Sequence, residues 1–394
     1  MSNVPKLRFK GFEEEWKKTL FNSVFKEVKE KTGDLINYPL YSLTIEDGIT
    51  KKTERYTRDF LVKKKSNYNI VFPNQLVYNP MNITLGAFGL YKGDRPISVS
   101  GYYNVFENYS LYNNDFIELY LKTHRLLHVY KTIATGSLIE KQRVHFTEFK
   151  KIKEPFPSIE ESERIGVFFN LIERAIQNQQ EKIELLKEQK KGYMQKIFNR
   201  ELRLNDGMGR NIPEWEVVKI GDVFSERTEK GNESYELLSV TLEQGVIRRS
   251  QIDAKDNSNP NKSKYKVVNK GDIVYNSMRM WQGANGVSSY EGIVSPAYTV
   301  LIPSEKIYPL FIGYLFKHDR MIYEFKRYSQ GLTSDTWNLK YPQISEIKVK
   351  LPCKSEQERI GQFFNLIDRK IKFETKKLNE MIQKKKFFMQ NMFL

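Results

Sequence analysis

Apolar residues recur every three or four positions in two long stretches of this chain, and the two stretches are nearly the same. The first series runs Ile165, Phe169, Ile172, Ile176, Ile183, Leu186, Tyr193 and Ile197, with Gln179 and Lys190 occupying two places in the pattern. The second runs Ile360, Phe364, Ile367, Ile371, Leu378, Met381, Phe388 and Met392, interrupted at Glu374 and Lys385. Alternating steps of four and three form a coiled-coil seam and predict two long helices. Because the polar interruptions coincide, the two helices are expected to share a packing environment, against one another and a partner. Some 38 residues from Glu161 to Phe198 would reach about 57 Å at 1.5 Å per residue, more than one domain's diameter, so the helices are expected to project and pair. Phe168 with Leu171, and Phe363 with Leu366, widen the apolar face and could serve another protein. Ser158-x-x-Glu161 and Ser355-x-x-Glu358 offer capping boxes at the starts.

These helices open on a repeat. Glu163–Arg174 and Glu358–Arg369 are almost identical and 195 residues apart, so the chain is a tandem duplication. Upstream of each copy the period changes from helical to alternating, which reads as strands. Tyr38–Thr44 matches Tyr235–Thr241, Gln75–Asn79 matches Asp272–Asn276, and Val99–Val105 matches Val294–Val300. A polar, basic segment follows the first of these strands in each half, Glu46–Arg58 and Glu243–Lys255. Glycine-bearing loops lie at Met81–Gly89 and Met278–Gly286, and a short helix is expected near Phe116–Tyr130 and again near Pro309–Phe325. The pattern predicts an α+β protein with strand-rich domains over residues 1–155 and 201–351. Spacer helices are expected over 156–200 and 352–394.

Charge adds direction to this picture. With 64 Lys+Arg against 48 Asp+Glu the chain carries +16, which suits a polyanion, nucleic acid first and an anionic membrane surface second. Residues 158–198 are neutral overall and residues 353–394 carry +5, so most of the excess sits on the strand-rich domains. No apolar run is long enough to cross a membrane and no secretory signal is evident, so a cytoplasmic location is expected. One cysteine, Cys353, excludes an internal disulfide framework and a multi-cysteine zinc site, and is expected to be a small filler beside Pro352.

A search for chemistry finds little. The chain has neither a P-loop nor a complete G-x-G-x-x-G. His124 and His128 have helical spacing but no duplicated equivalent, and an ordinary surface role is expected. Asn79-Pro80-Met81 reads as a strand-ending turn. Asp335 with Glu346-x-Lys348 could be drawn as a nuclease centre, yet the first half has Lys151-x-Lys153 at the equivalent place. No catalytic or metal-binding residue is assigned.

Candidate contacts to a nucleic acid are basic and polar residues on or near the glycine-bearing loops, because such side chains reach phosphates and base edges. In the first half they are Lys51, Lys52, Arg55, Asn82, Thr84, Lys141 and Arg143. In the second they are Arg248, Arg249, Arg279, Trp281, Gln282, Ser334 and Asp335. Helix pairing and subunit docking would fall to Ile165, Phe168, Phe169, Ile172, Ile176, Ile183, Leu186, Ile360, Phe363, Phe364, Ile367, Ile371, Leu378 and Met381.

The whole chain resembles the specificity subunit of type I restriction–modification systems. The residues that carry the likeness are Pro157 with Glu163-Arg164-Ile165-x-x-Phe168-Phe169-x-Leu171-Ile172, the copy following Pro352, Trp16/Trp215, Gly271-Asp272-Ile273-Val274 and Val294-Ser295-x-Ala297-Tyr298. Pro73-Asn74-Gln75 departs from the second half's Lys270-Gly271-Asp272. The resemblance implies two target recognition domains, each reading one half of a split asymmetric DNA site, related by a pseudo-twofold repeat. Between them, two antiparallel coiled-coil helices would set the unread gap. Two methyltransferase subunits would dock on the helices, and two restriction–translocase subunits would complete the assembly. S-adenosylmethionine, ATP and magnesium would be bound by those partners, with no cofactor on this chain and no membrane. The subunit itself would not be an enzyme, while its complex would methylate adenine, a base taken out of the stack, and cleave DNA with ATP. Two other readings compete: a self-contained restriction endonuclease, and a basic RNA or membrane adaptor.

Overall fold

A strand that is apolar at every position needs cover on both faces, and Leu76-Val77-Tyr78 has it. Leu76 and Tyr78 point into one core with Phe25, Phe88 and Phe106, while Val77 points into a second with Val71, Val99 and Val105. Ile273, Tyr275 and Val274 divide in the same way in the second half. The computed structural model describes residues 3–51, 68–136, 142–204, 213–253 and 258–394. They fall into two units, one of residues 1–180 with 377–394 and the other of residues 181–376.

The first unit begins with β1 (Lys17–Leu20), β2 (Phe25–Val28), β3 (Lys31–Thr32), β4 (Tyr41–Thr44) and β5 (Gly48–Lys51). It continues with β6 (Tyr68–Val71), β7 (Leu76–Tyr78), β8 (Phe88–Leu90), β9 (Ile97–Ser100) and β10 (Asn104–Asn108). Helices α1 (Asn114–Leu121), α2 (His124–Ile133) and α3 (Phe146–Phe149) and strand β11 (Lys153–Phe156) lead to the long helix α4 (Ile159–Phe198). The central sheet has the order β2-β10-β7-β8, beside a β3-β6-β9 sheet, a β4-β5 hairpin and a β1-β11 ribbon.

The second unit repeats this order. Its elements are β12 (Glu216–Lys219), α5 (Ile220–Val223), β13 (Phe224–Glu226), β14 (Leu238–Thr241), β15 (Gly245–Arg248), β16 (Lys266–Val268) and β17 (Ile273–Asn276). Then come β18 (Asn285–Val287), β19 (Gly292–Val294), β20 (Tyr298–Pro303), α6 (Pro309–Leu315), α7 (Asp319–Tyr328), α8 (Tyr341–Ile344), β21 (Lys348–Leu351) and the long helix α9 (Lys354–Met392). Its central sheet is β13-β20-β17-β18, with a β14-β15 hairpin and a β12-β21 ribbon.

Several sequence expectations change. Val99–Val105 is not one strand: β9 ends at Ser100, a turn closed by Tyr103 N to Ser100 O at 3.0 Å follows, and β10 enters a different sheet. The copy turns identically at Tyr298 N to Ser295 O, 2.9 Å. Each single predicted helix is a pair, α1 with α2 and α6 with α7. The polar segment after β4 begins as its hairpin partner β5, with Gly48 at φ 65° making the turn, and Gly245 does the same at φ 68°. Pro73-Asn74-Gln75 departs from its counterpart in residues but not in form. Asn74 adopts φ 68° where Gly271 adopts 91°, since asparagine is among the few residues that tolerate the left-handed region. Gln75 Oε1 accepts from Phe72 N at 2.9 Å, as Asp272 Oδ2 accepts from Asn269 N at 2.8 Å. Asn79 closes its turn by accepting from Met81 N at 3.0 Å.

The helix starts also differ from expectation. Ser158 Oγ does accept from Glu161 N at 3.2 Å, but the Glu161 carboxylate turns elsewhere and leaves the capping box half made. In the second copy Ser355 lies inside α9, and Cys353 precedes the first helical residue. Cys353 is therefore exposed, with Sγ 3.3 Å from Ser355 Oγ, and fills no core.

Candidate nucleic-acid interface

Each unit is assembled around one buried carboxylate on a long helix. Glu161, in the first turn of α4, receives Arg8 Nε at 2.8 Å, Arg8 Nη2 at 2.7 Å and Trp16 Nε1 at 3.1 Å. Glu356, in the first turn of α9, receives Arg203 Nη2 at 2.8 Å, Arg203 Nε at 3.3 Å and Trp215 Nε1 at 3.4 Å. Both carboxylates are 1% exposed, and burial at that level demands pairing. Hydrogen bonding to Glu356 holds the Arg203 guanidinium above its usual range. The sequence shows a hint of this clamp: Arg8 and Arg203 share the 195-residue offset of Glu161 and Glu356.

The helical repeat serves the unit cores as well as the seam. Ile165 and Phe169 join Trp16, Phe116 and Tyr120 in the first unit, and Ile360 and Phe364 join Trp215 and Phe311 in the second. Ile176 and Ile183 are also buried; Phe168, Ile172, Leu186, Phe363, Ile367, Ile371, Leu378 and Met381 are half-buried. Phe168 meets Phe388 edge-on at 5.0 Å, and Glu173 pairs with Lys385. In the second unit Tyr193 meets Phe363 at 5.2 Å, Lys190 pairs with Asp368 at 2.6 Å and Lys182 with Glu374 at 2.5 Å. Partner numbers rise on one helix as they fall on the other, so within each unit the two helical segments run antiparallel. The polar interruptions at Lys190 and Lys385 are thus seam lysines answered by acids at equivalent places. Leu171, Leu366, Phe373 and Phe387 remain exposed.

The glycine-bearing loops take equivalent conformations. Asn82 and Arg279 each precede a one-turn 3-10 helix that Gly86 and Gly283 close at φ 90° and 87°. Asn82 is exposed and Thr84 half-buried. Arg143 pairs with Thr135 through both backbone hydrogen bonds, and Val144 N reaches Pro80 O at 3.1 Å, bringing this strand beside the Asn79–Met81 turn. Lys51 ends β5, exposed. Lys52, Arg55 and Lys141 lie outside the described residues.

In the second unit, Arg279 Nη1 lies 3.4 Å from Gln282 Oε1, and Trp281 packs edge-on against Trp337 at 5.3 Å. Trp281 Nε1 is committed to Met278 O at 3.0 Å, so that indole is a braced apolar face more than a donor. Lys326 Nζ sits 6.0 Å from the same ring. The loop holding Ser334 and Asp335 is pinned there too, by the Gln330–Asn338 bridge and by Leu339 N to Ser277 O at 2.8 Å. Sequence reasoning missed Trp337 and Lys326, which no spacing marked. Arg248 and Arg249 belong to another cluster: Arg248 pairs with Glu236 at 3.0 Å and lies over Tyr290, and Arg249 lines a cavity of about 710 Å³ with Asn259, Asn261 and Tyr298. Glu346, the carboxylate of the nuclease-like pattern, is paired with Lys219 at 2.7 Å. Among the described residues no group of three or more His, Cys, Asp or Glu could hold a metal ion, and no helix is long and apolar enough to cross a membrane.

Exposed cations and amides on two versions of one scaffold, joined in the second by the braced Trp281, are suited to reading a polyanion with base edges. Comparison with known proteins agrees. A family model described as the type I restriction modification DNA specificity domain matches residues 213–383. The type I restriction enzyme MjaVIII specificity subunit of Methanocaldococcus jannaschii is 24% identical, over 97% of this chain and 92% of its own length. The putative MjaX specificity subunit of the same organism is 23% identical, over 100% and 96%. Among solved structures, the type I system S subunit of M. genitalium superposes over 99% of both chains with a TM-score of 0.62 at 16% identity, which shows the fold. Residues 213–383 thus match a type I restriction modification DNA specificity domain, and the chain as a whole is similar, along its full length, to specificity subunits of type I restriction–modification systems.

Proposed function

We propose that each unit reads one half of a split, asymmetric duplex DNA site, while α4 and α9 hold the two readers at a fixed gap and present docking faces for two methyltransferase subunits. Methyl transfer to adenine, and ATP-dependent cleavage by two further subunits, would be the partners' chemistry. The observation that supports this best is sameness of frame with difference of loops. The two units share strand order, turn geometry and the buried Arg–Glu–Trp clamp, yet Asn82 and Arg143 are exposed in one where Arg279 and Gln282 are exposed in the other. A shared frame with different base-contacting side chains would give two different half-sites. The exposed Leu171 and Leu366, 195 residues apart, offer equivalent apolar points for two copies of one partner.

Co-expression with the cognate methyltransferase subunit, followed by methylome sequencing, tests this directly. The expected result is one bipartite motif with an unread gap. Replacing residues 1–150 by another such unit should change one half-site alone. A methylome without a bipartite motif would sink the reading, and a swap that alters both halves would remove its modularity.

A further inference from the structure

Arg320 stands on α7 where Arg125 stands on α2, 195 residues earlier. In the first unit Arg125 Nε reaches Glu154 Oε2 on β11 at 2.5 Å. The corresponding residue of β21 is Val349, buried at 3% exposure, so the carboxylate is missing. Arg320 has no ion-pair partner among the described residues. Neighbouring exchanges run the same way: Lys350 replaces Pro155, and Lys348 retains the charge of Lys153.

Arg320, Lys348 and Lys350 line one cleft of about 450 Å³. Its acids are already engaged, Glu324 with Arg327 at 3.0 Å and Glu346 with Lys219 at 2.7 Å. Neither Lys348 nor Lys350 has an ion-pair partner among the described residues. The His318 side chain also lines this cleft; it is 7% exposed, packs on Phe198 at 5.5 Å, and its ring makes no hydrogen bond among the described residues. Arg200 and Arg327, which also line the cleft, are paired with Glu214 and Glu324, so three like charges remain without a partner and repel each other. An external anion reverses the sign of that interaction.

We propose that this cleft is a phosphate-binding site of the second unit, and that it takes backbone phosphates of duplex DNA beside that unit's half-site. This rests on the DNA-reading function proposed above. A free phosphate would satisfy the same charges, but placement favours the duplex. The opposite side of α7 carries Lys326 toward Trp281, so the cleft and the recognition loop share one ten-residue helix about 15 Å long. Contacts of this kind fix position and carry no base information. The first unit, whose Arg125 is neutralised by Glu154, lacks the device. Its half-site should be held with less dependence on salt.

The test uses the complex with its methyltransferase subunits and a duplex bearing the motif found by methylome sequencing. Affinity is measured from 50 to 200 mM salt. Arg320→Ala with Lys348→Ala and Lys350→Ala should lower the slope of log affinity against log salt by about 2 to 3. Affinity at low salt should fall tenfold or more while the sequence preference stays unchanged. Val349→Glu, which restores the first unit's ion pair, should lower the slope by about 1. Unchanged slope and affinity in both variants would overturn the proposal. So would inorganic phosphate binding that the triple variant loses while its DNA binding is unaltered. A wild-type complex that marks no bipartite motif would instead sink the DNA reading itself, and this assignment with it.

Discussion

Arg8 grips Glu161 through Nε and Nη2 at 2.8 and 2.7 Å, tying the start of the chain to the first turn of α4. Because the carboxylate is buried, removing its partner leaves a desolvated charge. Arg8→Ala should destabilise the first unit by about 3–5 kcal/mol. Replacing both residues by apolar ones of similar size should cost much less. Denaturant melts of the two single variants and the double variant check this, and additive losses would show that the clamp is not a unit.

Gly166 and Gly361 lie inside helices, where alanine is ordinarily better by about 1 kcal/mol. Here a Cβ on Gly166 would fall 2.0 Å from Asn113 Oδ1 and 3.1 Å from Phe116 N, and one on Gly361 2.8 Å from Tyr308 and 3.0 Å from Phe311 N. Gly192 has nothing within 4 Å. Gly166→Ala and Gly361→Ala should lower the melting temperature, whereas Gly192→Ala should raise it. If all three move together, close helix packing is not the reason for the repeat's glycine.

Arg279 and Gln282 offer guanine- and adenine-type contacts from one turn. Arg279→Ala and Gln282→Ala should each cost about 1–3 kcal/mol of discrimination at one base of the second unit's half-site. The other half-site should be read as before. Selection from a randomised duplex pool measures both halves at once, and an effect on the first unit's half would contradict the division of labour.

Seven residues add two helical turns and preserve the seam. Inserted between Gln177 and Gln180 of α4, and matched between Lys377 and Glu380 of α9, they lengthen each helix by about 10 Å, or about three base pairs of rise. The marked motif should keep both half-sites and gain that gap. A motif with an unchanged gap would remove the ruler role of the helices.

Burial pushes the His318 imidazole below its ordinary value of 6.5, with Asp319 opposing the shift and Arg320 adding to it. The folded state therefore binds this proton less readily than the unfolded chain. The stabilisation is complete above about pH 6.5 and is lost as pH falls through the depressed folded value. The melting-temperature difference between wild type and His318→Asn should narrow from pH 7.5 to 5.5. A constant difference would show that His318 does not titrate on unfolding.

The sequence alone determined the duplication, the two long helices, the strand-rich units and the glycine-bearing loops between their strands. Periodicity carries that information because a buried stripe must recur at the helix or strand repeat wherever it packs. Tertiary structure decided what periodicity cannot encode. It split Val99–Val105 between two sheets, because a tight turn leaves no trace in an alternating pattern. It moved Cys353 out of a core, and paired Trp281 with Trp337 across 56 residues. Most plainly, it showed that the start of each long helix is anchored by charge: Glu161 and Glu356 are single acids in a chain of 48 Asp and Glu, and beyond an offset shared with Arg8 and Arg203 it is burial that sets them apart. Desolvation depends on neighbours distant in sequence, so it becomes visible only when the chain is folded.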